Sequence, residues 1–172
     1  MKFDIIPKKK YGVILMDPPW DVPFKTPYTT MTITSLALMD IKSLCAKEGC
    51  TLFVWTPNSH LEEALGLCRV WGFKYKQLIT WCKNYGLGRP PYSATEHCIM
   101  ASRGSPKRAH QEFKGNELFN WFETKEKPKH SVKPSRMFEL IESIDSMRDT
   151  PKLEMFARTK RDGWDAWGKE LK

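Results

Sequence analysis

The sequence has no G-x-G-x-x-G, so a nicotinamide or flavin dinucleotide site has no support in it. It has no C-x-x-C pair. Its five cysteines, Cys45, Cys50, Cys68, Cys82 and Cys98, are odd in number and sit mostly in apolar stretches, which reads as buried reduced thiols rather than a disulfide framework or metal site. No apolar run approaches the roughly 18 residues of a membrane span, and the amino terminus lacks a signal-peptide pattern. The expectation is a soluble, intracellular protein located in the cytoplasm. No appended zinc finger, regulatory tail or separate target-recognition domain is visible either, so specificity is expected to come from loops, a second copy or a partner.

What is present fits one domain over residues 1–172, long enough to bury a real core, with 41% hydrophobic and 12% aromatic residues. The formal net charge is +8. A basic balance favours polyanionic partners through phosphate contacts, without choosing DNA over RNA.

The informative stretch is Tyr11 to Trp20. Val13 to Met16 form a short apolar run, the pattern of a strand covered on both faces in a parallel sheet. Pro18 and Pro19 end it, because proline supplies no N–H and pushes the preceding residue out of the helical region. Asp17 is therefore expected to be extended, with the proline carbonyls aimed outward and an exposed indole at Trp20. A carboxylate, a fixed carbonyl and a flat aromatic face then converge at a strand's carboxyl end, where open α/β sheets place ligands. Such a corner suits an exocyclic amino group on a base. Asp17 and the Pro18 carbonyl accept its two hydrogens, free the ring-conjugated lone pair and stabilise developing positive charge, while Trp20 stacks the base. The competing structural reading is a strand followed by a proline turn with a capping Asp and a core Trp.

Asp17-Pro18-Pro19-Trp20, followed by Pro27-Tyr28-Thr29-Thr30-Met31, resembles the MTA-type N6-adenine methyltransferase family, which includes the catalytic subunit of the eukaryotic mRNA N6-adenosine methyltransferase. Similar landmarks follow in the family's order: Leu52-Phe53-Val54-Trp55, Trp71-Gly72-Phe73, Trp81-Cys82-Lys83, Glu96-His97-Cys98, Ser131-Val132-Lys133-Pro134 and Leu153-Glu154-Met155-Phe156-Ala157-Arg158. The resemblance implies an α/β, Rossmann-like S-adenosylmethionine-dependent fold, circularly permuted so that the catalytic motif precedes the cofactor-binding elements. It assigns catalysis to Asp17, Pro18, Pro19 and Trp20. It assigns S-adenosylmethionine contacts to Asp4, Ile5, Asp17, Lys133, Arg158, Lys169 and Glu170, with Lys169 standing where the family has Asn. It places Tyr28 on a gating loop facing the target base and Glu96 near the site, the structural alternative for Glu96 being an exposed strand end.

Pattern alone fills in the rest. Asp21 to Met31 reads as a loop. Thr34 or Ser35 is expected to cap a broken helical stretch toward Lys47, with Leu36, Met39, Leu44 and Cys45 inward. A strand from Cys50 to Thr56 leads to a helix capped by Asn58 or Ser59 and stopped at Gly72. Further strands are expected over Lys74–Lys83, Cys98–Ala101 and Lys152–Ala157, with a loop from Asn84 to Tyr92. A helix is expected from Ser135 through Ser146. The segment 103–130 has no clean period; Arg103, Lys107 and Arg108 lead its candidate phosphate contacts, with a solvated excursion as the alternative.

The leading expectation is methyl transfer to adenine N6 in DNA, with no metal and no membrane, by a paired homodimer or heterodimer. RNA is the nearer alternative; a catalytically inactive nucleic-acid-binding partner subunit and a cytosine or small-molecule amino methyltransferase are the others.

Overall fold

The computed structural model describes residues 9–22, 26–88, 90–106, 119–124, 132–144, 147 and 149–171. Among these, seven strands form one sheet: β1 Val13–Met16, β2 Gly49–Pro57, β3 Lys74–Leu87, β4 Ser93–Gly104, β5 Trp121–Thr124, β6 Lys152–Met155 and β7 Trp164–Trp167. Their spatial order is β5-β3-β4-β2-β1-β6-β7. β4 alone runs against the others, antiparallel to both β2 and β3.

β1 shows why an unbroken apolar run is needed here. It is hydrogen-bonded to β2 on one side and β6 on the other, and all four residues are buried. Alternation then splits the core. Ile14 and Met16 join Leu36, Ala64, Leu67 and Cys68, the residues of helices α1 (Ile33–Ala37) and α2 (Leu61–Val70). Val13 and Leu15 pack on the other face with Met137, Phe138, Leu140 and Ile141 of α3 (Arg136–Ser143). The result is a Rossmann-like methyltransferase fold. The permutation is visible in the topology: the first described strand lies inside the sheet next to the central β2, and β6 and β7 return to its outer side.

Several boundaries differ from expectation, each for a local reason. The first helix is capped by Thr32, whose hydroxyl accepts from the Ser35 N–H at 3.2 Å, rather than by Thr34 or Ser35. It ends at Ala37, and a separate 3-10 turn, Lys42–Leu44, follows, with Asp40 accepting from the Ser43 N–H. Asn58 and Ser59 do not cap α2 but lie in a 3-10 turn before it. The Asn58 amide instead reaches across to Ser93 and Thr95 of β4. β3 and β4 are each longer than expected, because their pairing carries the hairpin through Leu87 and back from Ser93. α3 is shorter, ending at Ser143. β5 is a short edge strand within the segment that lacks a clean period, and β7 is a short edge strand beyond the last one expected. Gly72, as expected, terminates α2 with φ +81, a left-handed conformation that a Cβ disfavours. The five cysteines are free thiols, with Cys50, Cys68 and Cys98 buried.

No helix among the described residues is long and apolar enough to cross a membrane.

Candidate active site

The carboxyl ends of β1, β2, β3, β6 and β7 and the amino-terminal half of β4 share one edge of the sheet, as the pairing of Pro57 with Glu96 and of Cys82 with Thr95 requires. Asp17 leaves β1 at this edge. The Lys133 ammonium, just ahead of α3, donates to Asp17 Oδ2 at 2.8 Å and lies 3.4 Å from Glu96 Oε2. Lys83 of β3 pairs with the other Glu96 oxygen. Two carboxylates and two ammoniums thus form an alternating row, Asp17–Lys133–Glu96–Lys83, over the indoles of Trp55 and Trp81, whose faces lie 5.8 Å from Lys133 and 4.9 Å from Lys83. No group of three or more metal-type ligands occurs among the described residues.

The charges hold one another. Burial alone would drive Lys133 toward neutrality, but the Asp17 and Glu96 carboxylates outweigh it and raise its affinity for its proton. For Glu96, burial is likewise outweighed, by Lys133 and Lys83, and the carboxyl is held below its ordinary range. Asp17 is the exception: burial raises it above the ordinary aspartate value, and Lys133 offsets that only in part while Glu96 adds to it. It is the strongest proton acceptor of the two carboxylates.

The Pro18-Pro19-Trp20 corner is more tightly knit than the sequence implied. The Pro18 carbonyl accepts from the Trp20 N–H and the Pro19 carbonyl from the Met31 N–H, both at 2.8 Å. Pro18 retains a second lone pair for a ligand; Pro19 is tied to the far end of the loop. The expectation of an exposed indole is corrected: Trp20 is 5% exposed and its N–H donates to the Trp55 carbonyl at 3.0 Å. A buried donor needs a partner, and the end of β2 supplies it. His60 packs on the same indole, at 5.4 Å between ring centres, and its Nε2–H donates to the Asp21 carbonyl at 3.0 Å.

Around this corner stand the other expected residues. The Arg158 guanidinium lies 5.2 Å over the Tyr28 ring, and its Nε is 3.0 Å from Glu170 Oε2. Backbone geometry brings these two together. After β6 the chain turns at Phe156, with φ +63, and the Ala157 N–H donates to the Trp167 carbonyl at the end of β7. Gly168 is required there, since a Cβ would meet the Ala157 oxygen at 2.2 Å. Lys169 is exposed in the following turn.

Arg103 is not brought to the site. It pairs with Cys50 at the opposite end of β4, about 24 Å along the strand from Glu96 at 3.4 Å per residue. Its guanidinium lies against Gly72. Asp4, Ile5, Lys107 and Arg108 lie outside the described residues.

Lys83 and Glu154 fall within the sequence landmarks but have no role assigned there. Lys83 extends the charged row, and its signals were the Trp81-Cys82-Lys83 landmark and a lysine ending an apolar stretch. Glu154 lies on β6 opposite Leu15, partly buried, where desolvation first and the Asp17 charge next push its carboxyl up to about 7 against the opposing pull of Arg161. An acidic residue inside a four-residue strand between buried neighbours was the available signal.

The type II methyltransferase M.MunI of Mycoplasma sp is 30% identical, over 98% of this chain and 81% of its own length. A putative N(6)-adenosine-methyltransferase MT-A70-like protein of Medicago truncatula is 29% identical over 94% of this chain. The human N(6)-adenosine-methyltransferase catalytic subunit METTL3 is 26% identical over the same share. The chain spans only about a quarter of the length of these last two, 26% and 28%. Residues 11–170, nearly the whole chain, match the MT-A70 family, and the chain belongs to that family of N6-adenine methyltransferases.

Proposed function

We propose that this chain transfers the methyl group of S-adenosylmethionine to the N6 amino group of adenine in DNA. The observation that carries the reading is the Asp17–Lys133–Glu96 cluster, a carboxylate of raised proton affinity fixed at the carboxyl edge of the sheet beside the Pro18 carbonyl.

The donor set fits the cofactor's polar groups. Lys133 offers a cation to its carboxylate, Asp17 an acceptor to its ammonium, and Glu170, oriented by Arg158, acceptors to its ribose hydroxyls. Asp4, Ile5 and Lys169 complete the contact set that the resemblance implies. When bound, the cofactor supplies an electrophilic methyl group on a sulfonium.

The chain's own part is positioning and electrostatics. Asp17 and the Pro18 carbonyl accept the two amino hydrogens, which localises the nitrogen lone pair. As methyl transfer puts positive charge on that nitrogen, the Asp17 carboxylate stabilises it and is suited to receive the proton. Lys133 holds Asp17 in place and favours its charged form. Buried Trp20 forms a rigid wall, and Tyr28, backed by Arg158, closes the base from the loop side. Glu96 lies within reach of a base edge from the β4 side.

DNA is preferred because M.MunI, the type II methyltransferase, matches across 98% of this chain and 81% of itself. RNA is the second reading, favoured by the names of the adenosine methyltransferase relatives. Paired subunits are part of the proposal, since the described residues include no separate element to read flanking bases. An adenine inside a duplex must be flipped out at a cost of a few kcal/mol, which an unpaired strand avoids.

The test is nucleoside mass spectrometry after incubation with S-adenosylmethionine and, separately, single-stranded DNA, duplex DNA and RNA, with Asp17→Ala as control. Asp17-dependent N6-methyldeoxyadenosine is expected. Product confined to RNA would replace the substrate and keep the chemistry. No product together with no saturable cofactor binding would establish the inactive partner subunit, the reading to which Lys169 lends itself.

A further inference from the structure

The outer edge of the sheet carries a feature that the site does not use. Phe119 and Trp121 are 49% and 51% exposed, and their rings lie parallel, at an interplanar angle of 9° and 6.4 Å between centres. Exposed apolar rings of this size usually fold inward, as their neighbour Phe122 does on the opposite face, at 9% exposure. Two hydrogen bonds fix the pair in position: the Thr80 N–H donates to the Asn120 carbonyl at 2.9 Å, and the Asn120 side-chain Nδ2 donates to the Leu78 carbonyl at 3.1 Å. These rings are held out rather than left over.

A third aromatic extends the row. Tyr75, at the start of β3, is 52% exposed and pairs with Ala101, which faces the α1 and α2 side of the sheet. Phe122 packs toward α3, so Trp121 faces the same side as Tyr75. Lys76, the extra residue at the bulge after Tyr75, is exposed; Lys74, also exposed, pairs with Ser102 and lies on the opposite face of the sheet. Glu123 is the acidic neighbour of Trp121 and leaves phosphate contact to the lysine end. The row climbs toward the active-site edge: Trp121 is level with Thr80, and Glu96 with the next residue, Trp81.

Exposed aromatic faces with a lysine at one end, on a chain of net charge +8, match the chemistry of an unpaired nucleic-acid strand, whose bases all offer a π-face and whose phosphates need cations. We propose that Tyr75, Phe119 and Trp121 form a stacking platform that holds single-stranded DNA flanking the target adenine. The proposal rests on the nucleic-acid reading above and narrows it to an unpaired strand, gripped without base-specific hydrogen bonds.

The test uses the full chain and fluorescence anisotropy with labelled mixed-sequence single-stranded DNA, the matching duplex and the matching RNA. Phe119→Ala and Trp121→Ala are expected to raise the single-stranded DNA Kd at least about fivefold each, with Trp121→Phe restoring most of it. Duplex affinity and S-adenosylmethionine binding by calorimetry should stay within about twofold, which shows that the variants fold. An unchanged single-stranded Kd in both alanine variants would overturn the platform while leaving Asp17-dependent methylation standing. An effect confined to RNA would overturn the DNA assignment. Loss of a dimer in sedimentation with unchanged DNA affinity would show a second copy of the chain to be the occupant. Wild type that binds none of the three nucleic acids would sink the parent reading instead.

Discussion

Lys133 and Asp17, 116 residues apart in sequence, share a hydrogen bond of 2.8 Å, and the same ammonium reaches Glu96 at 3.4 Å. One cation therefore separates two carboxylates that would otherwise repel. Its replacement has consequences for both ligand binding and charge.

Lys133→Met removes that cation while keeping much of the stem's packing against Trp55. A charge-assisted hydrogen bond contributes roughly 1.5–3 kcal/mol, so S-adenosylmethionine binding should weaken by about tenfold or more in titration calorimetry. Glu170→Gln, which keeps the Arg158 contact but loses the charge, should weaken it less. Equal affinity in wild type and Lys133→Met would remove Lys133 from the cofactor site.

The pH profile follows from the direction of the Asp17 shift. Burial raises this carboxyl, so it protonates at a pH above the ordinary aspartate range. The reaction needs the carboxylate, so kcat/KM should be full at high pH and fall as pH drops through the raised value. Lys133 favours the charged form, hence Lys133→Met should move this acid limb to still higher pH. An acid limb at the same pH in both proteins would separate Asp17 from the titration.

Trp20 marks the line between what was legible and what was not. That Asp17 follows a buried strand could be read locally, from four apolar residues and two prolines. The side chain's fate could not, because the partner of its N–H is the Trp55 carbonyl, 35 residues away. The same holds for Asn58, which looks like a helix cap and instead binds β4. Arg103 was grouped with a basic segment by sequence proximity, yet strand direction carries it to the far end of the sheet. Lys133 and Glu96 were recognised through motif resemblance, while their mutual contact required the sheet. Local pattern marks the end of β1; pairing sets the ends of β3 and β4, and only topology fixes which ends meet.

Trp20→Phe and Trp20→Ala distinguish a wall from a stacking partner. The phenylalanine variant leaves the Trp55 carbonyl without its donor, at a cost of about 1–3 kcal/mol in chemical denaturation. The alanine variant opens a cavity in the core and should cost about 3–5 kcal/mol. If the indole acted chiefly by stacking a base from an exposed position, both variants would be nearly as stable as wild type and differ only in substrate affinity.

Glu154 supplies a stability measurement independent of any substrate. Its carboxyl titrates at about 7 in the folded protein, against 4.5 for an unperturbed glutamate, because burial disfavours the charge and Asp17 repels it, with Arg161 opposing. The folded state therefore binds a proton more tightly than the unfolded chain. This contribution is fully present below about pH 4.5 and is lost as pH rises through 7. At 1.36 kcal/mol per pH unit the upper bound is about 3 kcal/mol, and because the side chain is partly open to solvent, screening reduces the expected effect to about 1–2 kcal/mol. Glu154→Gln keeps the shape and removes the titration. Urea denaturation at pH 5 and pH 8 should then show the wild type losing about 1–2 kcal/mol more than the variant over that interval. Parallel losses in the two proteins would mean that Glu154 is as well solvated in the folded chain as in the unfolded one, and that the β6 strand end lies open beside Asp17 rather than sealed under α3.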